Sequence, residues 1–410
     1  MKQKVAVAIG TGDEQSYFIN LAKKLGFFVI GFDKSINSKG SSICDVFYPI
    51  CISDVDKIIN TLEKYKPEFV IPSPIGKRLT TIGLIHDYFQ INSFNHFATE
   101  SVTNKLIFSQ LLKRLNIPHP QTRMFQNIDQ IIANFNQIDF PVIAKPNEGS
   151  GSRGVFIIKN KNSILGFKNY YNQNKEFYKS GILIQSYIDG SDIGVDGLFL
   201  NNKIININLR KKFLNKSTYP LEIGYLAPFF ISNDIYQSLI NSLNSVLKEL
   251  NVKSCVFHAD IIIVKKQAYI IEMSFRPSGM NISSVLLPEC LRINYCKHYM
   301  MHFICNDKLL FLEENHYQYQ NSKIDRYYVM DYFFYDNYIN KKVRFPSFHN
   351  ICQLFQICKL EIPKNGILEI HEPITSLQML KNGFMIYETN LDCDQIDVNR
   401  HRFYSLFKEI

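Results

Sequence analysis

The sequence predicts an α/β fold, turning to α+β towards its C-terminus, on three observations. A short apolar run, Val5–Ile9, ends in Gly10-Thr11-Gly12 and is followed by helical spacing of apolar residues. Strand and helix patterns then alternate to about residue 100, which implies an open, mostly parallel sheet covered by helices. Beyond residue 140 strand patterns dominate, and two of them, 256–264 and 268–272, form a hairpin.

The elements follow in order. Val5–Ile9 reads as a buried strand. Phe18, Leu21, Ala22 and Leu25 make one helix face, and Gly26 stops that helix. Phe28–Phe32 is the second strand, Ile58, Ile59 and Leu62 mark a second helix, and 69–71 is a third strand. A helix is expected over 103–115, ended by Ile117-Pro118-His119-Pro120. Strands follow at 142–145, 155–158, 182–185, 193–200 and 204–209. Ile235, Leu239, Leu243 and Leu247, four apart, mark an amphipathic helix over 235–250. After about residue 310 the chain is aromatic-rich and strand-prone without a recognisable motif. This divides the chain into an α/β domain (1–100), a middle domain (101–310) and a β-rich C-terminal subdomain (311–410).

Composition narrows the class. With 410 residues, 46% apolar and 20% charged, the chain is ordinary globular protein, which excludes disorder, collagen-like repeats and a small disulfide scaffold. A net charge of +9 suits anionic ligands. The nine cysteines contain no C-x-x-C pair and read as mostly buried free thiols of a reducing compartment. The first apolar run is too short for a signal peptide, and none approaches the roughly 20 residues of a membrane span. A cytoplasmic protein is expected, without membrane or nucleic-acid partners.

Four motifs carry chemistry. Gly10-Thr11-Gly12 with Asp33 invites a dinucleotide reading, but Gln15 stands where the third glycine belongs, and a tight turn accounts for the glycines. Lys145 ends a strand and leads into Gly149-Ser150-Gly151-Ser152-Arg153-Gly154. Small residues let backbone N–H groups approach phosphate oxygens, and the lysine adds a charge. The alternative is a flexible hairpin. Gln185, Tyr187, Ile188 and Asp192 surround a polar turn that is either structural or an adenosine site.

The fourth motif is Asp260 with Glu272. A three-residue loop, Lys265-Lys266-Gln267, would put the two carboxylates directly opposite each other. Like charges about 5 Å apart destabilise a hairpin. Either a cation such as Mg²⁺ lies between them, or a basic side chain such as Arg276 neutralises them.

In this order and spacing the motifs resemble the ATP-grasp superfamily over residues 1–310. The stretch Ile271-Glu272-Met273-Ser274-Phe275-Arg276 is similar to its E-x-N-x-R signature. Phe257-His258-Ala259-Asp260 and Gly151-Ser152-Arg153-Gly154-Val155 are nearest the carboxylate–amine ligase branch, which includes amino-acid ligases. The resemblance implies an ATP-grasp fold with a Rossmann-like pre-ATP-grasp domain. It implies Lys105 and Lys145 on ATP phosphates, 149–154 as a mobile phosphate cover, Gln185, Tyr187 and Ile188 around adenine, and Asp192 on ribose. Asp260 and Glu272 would hold Mg²⁺, or Mn²⁺ in its place, and Arg276 would face a substrate carboxylate or acyl phosphate.

Three residues depart from the family pattern. Gln185 replaces an acid, Asp192 a glutamate, and Ser274 a metal-binding asparagine. Lys211 and Lys212 read as a solvated basic face before they read as phosphate ligands. His258 and Glu222 are secondary substrate candidates. The implied activity is ATP-dependent joining of a small carboxylate to an amine, with release of ADP and phosphate, by a chain that could form a homodimer. A bicarbonate-activating carboxylase, a carbamoyl-phosphate-synthase-like enzyme and a non-catalytic ATP-binding protein are the competing readings.

Overall fold

Four parallel strands open the chain in a computed structural model that describes residues 3–149, 151–215, 217–305, 326–371 and 376–410. They are β1 (Val5–Ile9), β2 (Phe28–Phe32), β3 (Val46–Tyr48) and β4 (Phe69–Val70), in the order β3-β2-β1-β4. The helix Asp13–Lys24 buries Phe18, Ile19 and Ala22, while Leu21 and Leu25, expected on that face, are half-buried. Asp33 serves the turn: it accepts from Thr11 N (2.9 Å) and Ser35 N (3.0 Å), so both its oxygens are used within the fold.

The helix expected over 103–115 is Lys105–Arg114, and a further helix precedes it. His96–Thr103 ends where Asn104 turns extended, and Asn104 then caps Lys105–Arg114 by accepting from Ile107 N (3.1 Å). A small antiparallel sheet follows: β5 (Thr122–Phe125), β6 (Val142–Pro146), β7 (Phe156–Ile158) and β8 (Ile182–Ser186), in the order β5-β8-β6-β7.

The central sheet is larger. It takes in β9 (Ser191–Leu200), β10 (Lys203–Leu214), β11 (Glu222–Ala227), β12 (Cys255–Val264), β13 (Gln267–Ser274) and β14 (Tyr327–Tyr332). After the short β15 (Lys342–Arg344) come β16 (Gln356–Glu361), β17 (Ile367–Glu369) and β18 (Phe384–Thr389). The eight-stranded order is β13-β12-β9-β10-β11-β14-β18-β16. Strands from beyond residue 310 thus extend the same sheet through the β11–β14 pairing. That junction is pinned by Asp331, which accepts from Arg400 Nε (3.1 Å) and from the Tyr387 hydroxyl (3.2 Å).

Alternation gives this sheet two unlike faces. Ile193, Val195, Ile207, Leu209, Phe257, Ala259 and Ile261 pack with Leu239, Leu243, Val246 and Leu247, which lie on the helix Asn233–Glu249. Each fully buried leucine or phenylalanine there contributes roughly 1.5–3 kcal/mol. The residues between them are polar or glycine: Asp192, Gly194 and Asp196 on β9, Asn208, Arg210 and Lys212 on β10, and His258 and Asp260 on β12.

The cysteines do not follow the expectation of burial. Of the eight whose state is described, all free, only Cys255 and Cys296 are buried, and Cys51, Cys352 and Cys358 are exposed. Among the described residues, no helix is long and apolar enough to cross a membrane.

Candidate active site

The pairing of Asp260 with Glu272 holds, but by a different route from the expected one. The hairpin turn is Lys265-Lys266 alone, so Val264 pairs with Gln267 and Ile261 with Ile270. In that register Asp260 would face Ile271, with Glu272 on the other side of the sheet. A bulge between Asp260 and Ile261 leaves Ile271 as the extra residue and brings Glu272 opposite Asp260. The row continues across the sheet to Gly194 and then Arg210. Residue 194 has to be glycine, because a Cβ there would run into the Arg210 guanidinium.

The carboxylates are neutralised by a residue read from sequence as a solvated cation. Lys212 is buried, and its Nζ lies 2.6 Å from Asp260 Oδ1 and 2.6 Å from Glu222 Oε1. Burial opposes its charge, but Asp260 and Glu222 hold the ammonium protonated. In return, and against burial, Lys212 and then Arg210 keep the Asp260 carboxyl below its ordinary range. Arg276, the expected neutraliser, instead donates from Nη1 to Pro277 O (3.1 Å). Glu272 has Lys105 Nζ at 4.0 Å.

Around this row lies a cavity of about 210 Å³. Lys105, Lys145, Gly149, Gly151, Ser152, Arg153, Gln185, Tyr187, Ile188, Asp192, Asp260 and Glu272 all line it. Ser150 lies outside the described residues. Gly154 sits behind the loop at φ 77°, its Cα against Pro146, where a Cβ would collide. Lys105 reaches the cavity from the first turn of its helix and donates to Gly149 O (2.8 Å). Lys145 is buried on β6. Desolvation pushes its ammonium down to about 8, against the upward pull of Glu272, while Lys105 adds to the lowering.

Gln185 donates from Nε2 to Thr122 Oγ1 (2.8 Å), whose own proton goes to Pro120 O (3.0 Å). That chain fixes the amide and leaves Oε1 as its accepting atom. Tyr187 N donates to Pro141 O (3.2 Å), so the tyrosine offers the cavity its side chain and carbonyl, not its N–H. Asp192 is pushed up to about 6 by burial, against the pull of Lys212.

A second cavity of about 450 Å³ adjoins the first and shares Asp260, Glu272, Glu222 and residues 151–153 with it. Arg276 lines only this one. So do Arg210 and Ser278, which sequence reading did not single out. Arg210 is fully buried, pairs through Nε with Asp196 Oδ2 (2.9 Å) and donates from Nη2 to Ser278 Oγ (2.8 Å). His258 is also buried, donates from Nδ1 to Arg276 O (3.2 Å), and is held neutral by desolvation and by Arg276. The signal for Arg210 and Lys212 was their period-two spacing with Asn208, alternating with Ile207, Leu209 and Phe213 and broken only by Lys211.

This arrangement matches known proteins. Residues 138–284 match the family model of the ATP-grasp domain. Formate-dependent phosphoribosylglycinamide formyltransferase of Prochlorococcus marinus (strain MIT 9515) is 24% identical over 287 residues, covering 67% of this chain and 70% of that protein. D-alanine--D-alanine ligase of Petrotoga mobilis is 29% identical over 262 residues, covering 60% and 82%. The crystal structure of L-amino acid ligase from Bacillus licheniformis superposes with a TM-score of 0.75 at 14% identity, covering 100% of this chain and 98% of that one, a likeness of fold. With this match, residues 138–284 are an ATP-grasp domain, in a chain that is similar to a formyltransferase and to a D-alanine--D-alanine ligase.

Proposed function

We propose that the protein uses ATP to activate a small carboxylate as an acyl phosphate and passes the acyl group to an amine. The observation that carries this reading is the junction of the two cavities: Asp260 and Glu272 stand between a side lined by Lys105 and Lys145 and a side lined by Arg276. A nucleotide in the first cavity would place its terminal phosphate at that junction.

In the first step a carboxylate oxygen forms a bond to the γ-phosphorus. The bond from that phosphorus to the β–γ bridging oxygen breaks, and ADP leaves with the electron pair. In the second step the amine nitrogen attacks the acyl carbon, phosphate departs, and the amine loses a proton to solvent. Negative charge accumulates between oxygens throughout, so catalysis lies in positioning and electrostatics. Lys145, dry and buried, and Lys105 hold the phosphates. Gln185 Oε1 accepts from the adenine amino group, Tyr187 and Ile188 flank the base, and Asp192 binds ribose. Arg276 holds the acyl group, and residues 149–154 keep water out.

Asp260 and Glu272 are paired oxygen donors at the junction, which suits Mg²⁺ completed by phosphate oxygens. When bound, the ion supplies charge neutralisation at the transferring phosphoryl group. The same reading places the protein in the cytoplasm and takes 1–100, 101–310 and 311–410 as its units.

The test is ADP and phosphate release from Mg-ATP with amino acids supplied singly and in pairs. Release that needs an acid and an amine together supports the ligase. Release driven by bicarbonate alone supports the carboxylase reading. ATP binding without any release would sink both.

Lys145 gives a pH prediction. Its ammonium titrates near 8 when no phosphate faces it, and a bound phosphate raises that value. ATP affinity should therefore be flat below pH 8 and fall above it by up to about tenfold per pH unit, with a proton taken up on binding at pH 8–9. Calorimetry in buffers of different ionisation enthalpy reads that proton. Proton release, or no exchange, would remove Lys145 from the phosphate site.

A further inference from the structure

Lys212 belongs to the site; its neighbour Lys211 does not. On β10 the two point to opposite faces, and Lys211 stands half-buried between Leu226 of β11 and Ile193 of β9. Its Nζ donates to Cys393 Sγ at 3.2 Å, a contact between residues 182 apart in sequence. Among the described residues no carboxylate pairs with this lysine, and the sulfur is its hydrogen-bond acceptor. Of the described cysteines only Cys393 has a lysine within hydrogen-bond reach. Cys44, Cys51 and Cys358 meet Gly40 O, Ser53 Oγ and Gln356 O instead.

Packing holds the two atoms in contact. Cys393 is the first residue of the helix Cys393–Tyr404, whose start is fixed by Asp392 accepting from Gln395 N (2.9 Å). Ile396, one turn on, is fully buried. Arg400, two turns on, lies over the Phe213 ring at 4.5 Å, and Phe213 shares a face of β10 with Lys211. Arg400 is itself anchored on Asp331. One face of the helix is thus seated on β10 at two points, and the first of them sets the sulfur against the amine. Both side chains are half-buried, so a molecule as small as dioxygen reaches them.

A lysine nitrogen and a cysteine sulfur held in contact can be joined through one oxygen atom. We propose that Lys211 and Cys393 form such a bridge, Nζ–O–Sγ, with dioxygen as oxidant, and that it reversibly tethers the helix Cys393–Tyr404 to the central sheet. The amine reacts as its free base, and the ammonium's extra proton goes to solvent. N–O and O–S bonds form, while one N–H, the S–H and the O–O bond break. Nitrogen and sulfur together give up four electrons to dioxygen. One of its oxygen atoms stays in the bridge, and the other leaves as water with the two hydrogens. Two dithiols, ending as two disulfides, return the amine, the thiol and a second water. None of this rests on the ligase reading.

The test uses the full chain, reduced and then held in air-saturated or anaerobic buffer. The intact mass should rise in air by about 14 Da, one oxygen gained and two hydrogens lost, and dithiothreitol should remove the rise. Peptide mapping should find the segments that hold Lys211 and Cys393 joined. Lys211→Arg and Cys393→Ser should each abolish the shift, and Cys358→Ser, at an exposed thiol elsewhere, should keep it. The bridged protein should melt a few degrees above the reduced one, because the link closes a long stretch of chain. The wild-type mass decides the matter even if a variant fails to fold. An unchanged mass in air overturns the bridge. So does a whole oxygen gained at Cys393 alone, or a loss of two hydrogens with Cys393 joined to another cysteine. A chain that gains the bridge equally when unfolded in urea, where the contact is absent, overturns the geometry assigned here. A bridged protein that melts no higher than the reduced one overturns the tether.

Discussion

Lys212→Met is expected to cost the nucleotide-free protein about 2–3 kcal/mol of stability and to abolish ATP-dependent turnover. Breaking a fully buried ion pair by removing one partner costs about 3–5 kcal/mol, because the charge left behind has no partner. Here one buried ammonium serves two carboxylates at 2.6 Å each. Their side chains are 23% and 28% exposed, so water takes up part of the loss and the lower figure applies.

The pH dependence has a definite sign. Asp260 in the wild type sits below its ordinary pKa through Lys212, so its contribution is present at neutral pH and is lost as pH falls through the folded value. In the variant that carboxyl titrates higher and protonation relieves its isolation. The stability gap between the two proteins should therefore narrow on acidification from pH 7, as read by urea unfolding. Mg²⁺ without nucleotide should stabilise the variant more than the wild type, since the ammonium no longer competes for Asp260. A variant as stable as wild type at pH 7 would show that Lys212 is solvated, as its position beside Lys211 first implied.

What the sequence made legible follows from range. The strand Ser191–Leu200 and the helix Asn233–Glu249 are written in local periodicity, and both stand within two residues of where the apolar spacing puts them. The carboxylate pair was legible for a weaker reason. The expected three-residue turn and the observed two-residue turn with a bulge at Ile271 give the same opposition of Asp260 and Glu272. A bulge is set by what the sheet must present, and no local propensity announces it.

Lys212 was misread because two adjacent lysines look like a solvated pair. On a strand they point to opposite faces, and only pairing with β9 and β11 shows that Lys212 meets Asp260 and Glu222. Arg210, Asp196 and Ser278 come from three separate stretches and meet only across the sheet. The chain beyond residue 310 was opaque because its role is long-range. Arg400 reaches Asp331 across 69 residues of sequence, and Asp331 lies opposite Gly224, where a Cβ would strike it.

Glu272→Gln carries the other large effect: turnover from Mg-ATP should fall by at least about 100-fold, while metal-free stability changes by less than about 1 kcal/mol. Glu272 is 35% exposed and its nearest cation, Lys105, stands at 4.0 Å, so little ion-pair energy is lost. Its repulsion with Asp260 is already offset by Lys212, so the metal-free melting temperature should be equal or slightly higher. The loss appears on Mg-ATP, where a charged oxygen donor is missing and several kcal/mol of charge stabilisation go with it. The shift in melting temperature on adding Mg-ATP should shrink accordingly. Glu272 is also the strongest influence holding the Lys145 ammonium up against burial. Removing its charge should move Lys145 below 8, so the alkaline loss of ATP affinity begins nearer neutrality and proton uptake on binding grows at pH 7.5. A structural carboxylate unconnected to the nucleotide would leave that uptake where it was. A Glu272→Gln protein that turns over Mg-ATP at the wild-type rate, with wild-type proton uptake, would remove the hairpin carboxylates from the site.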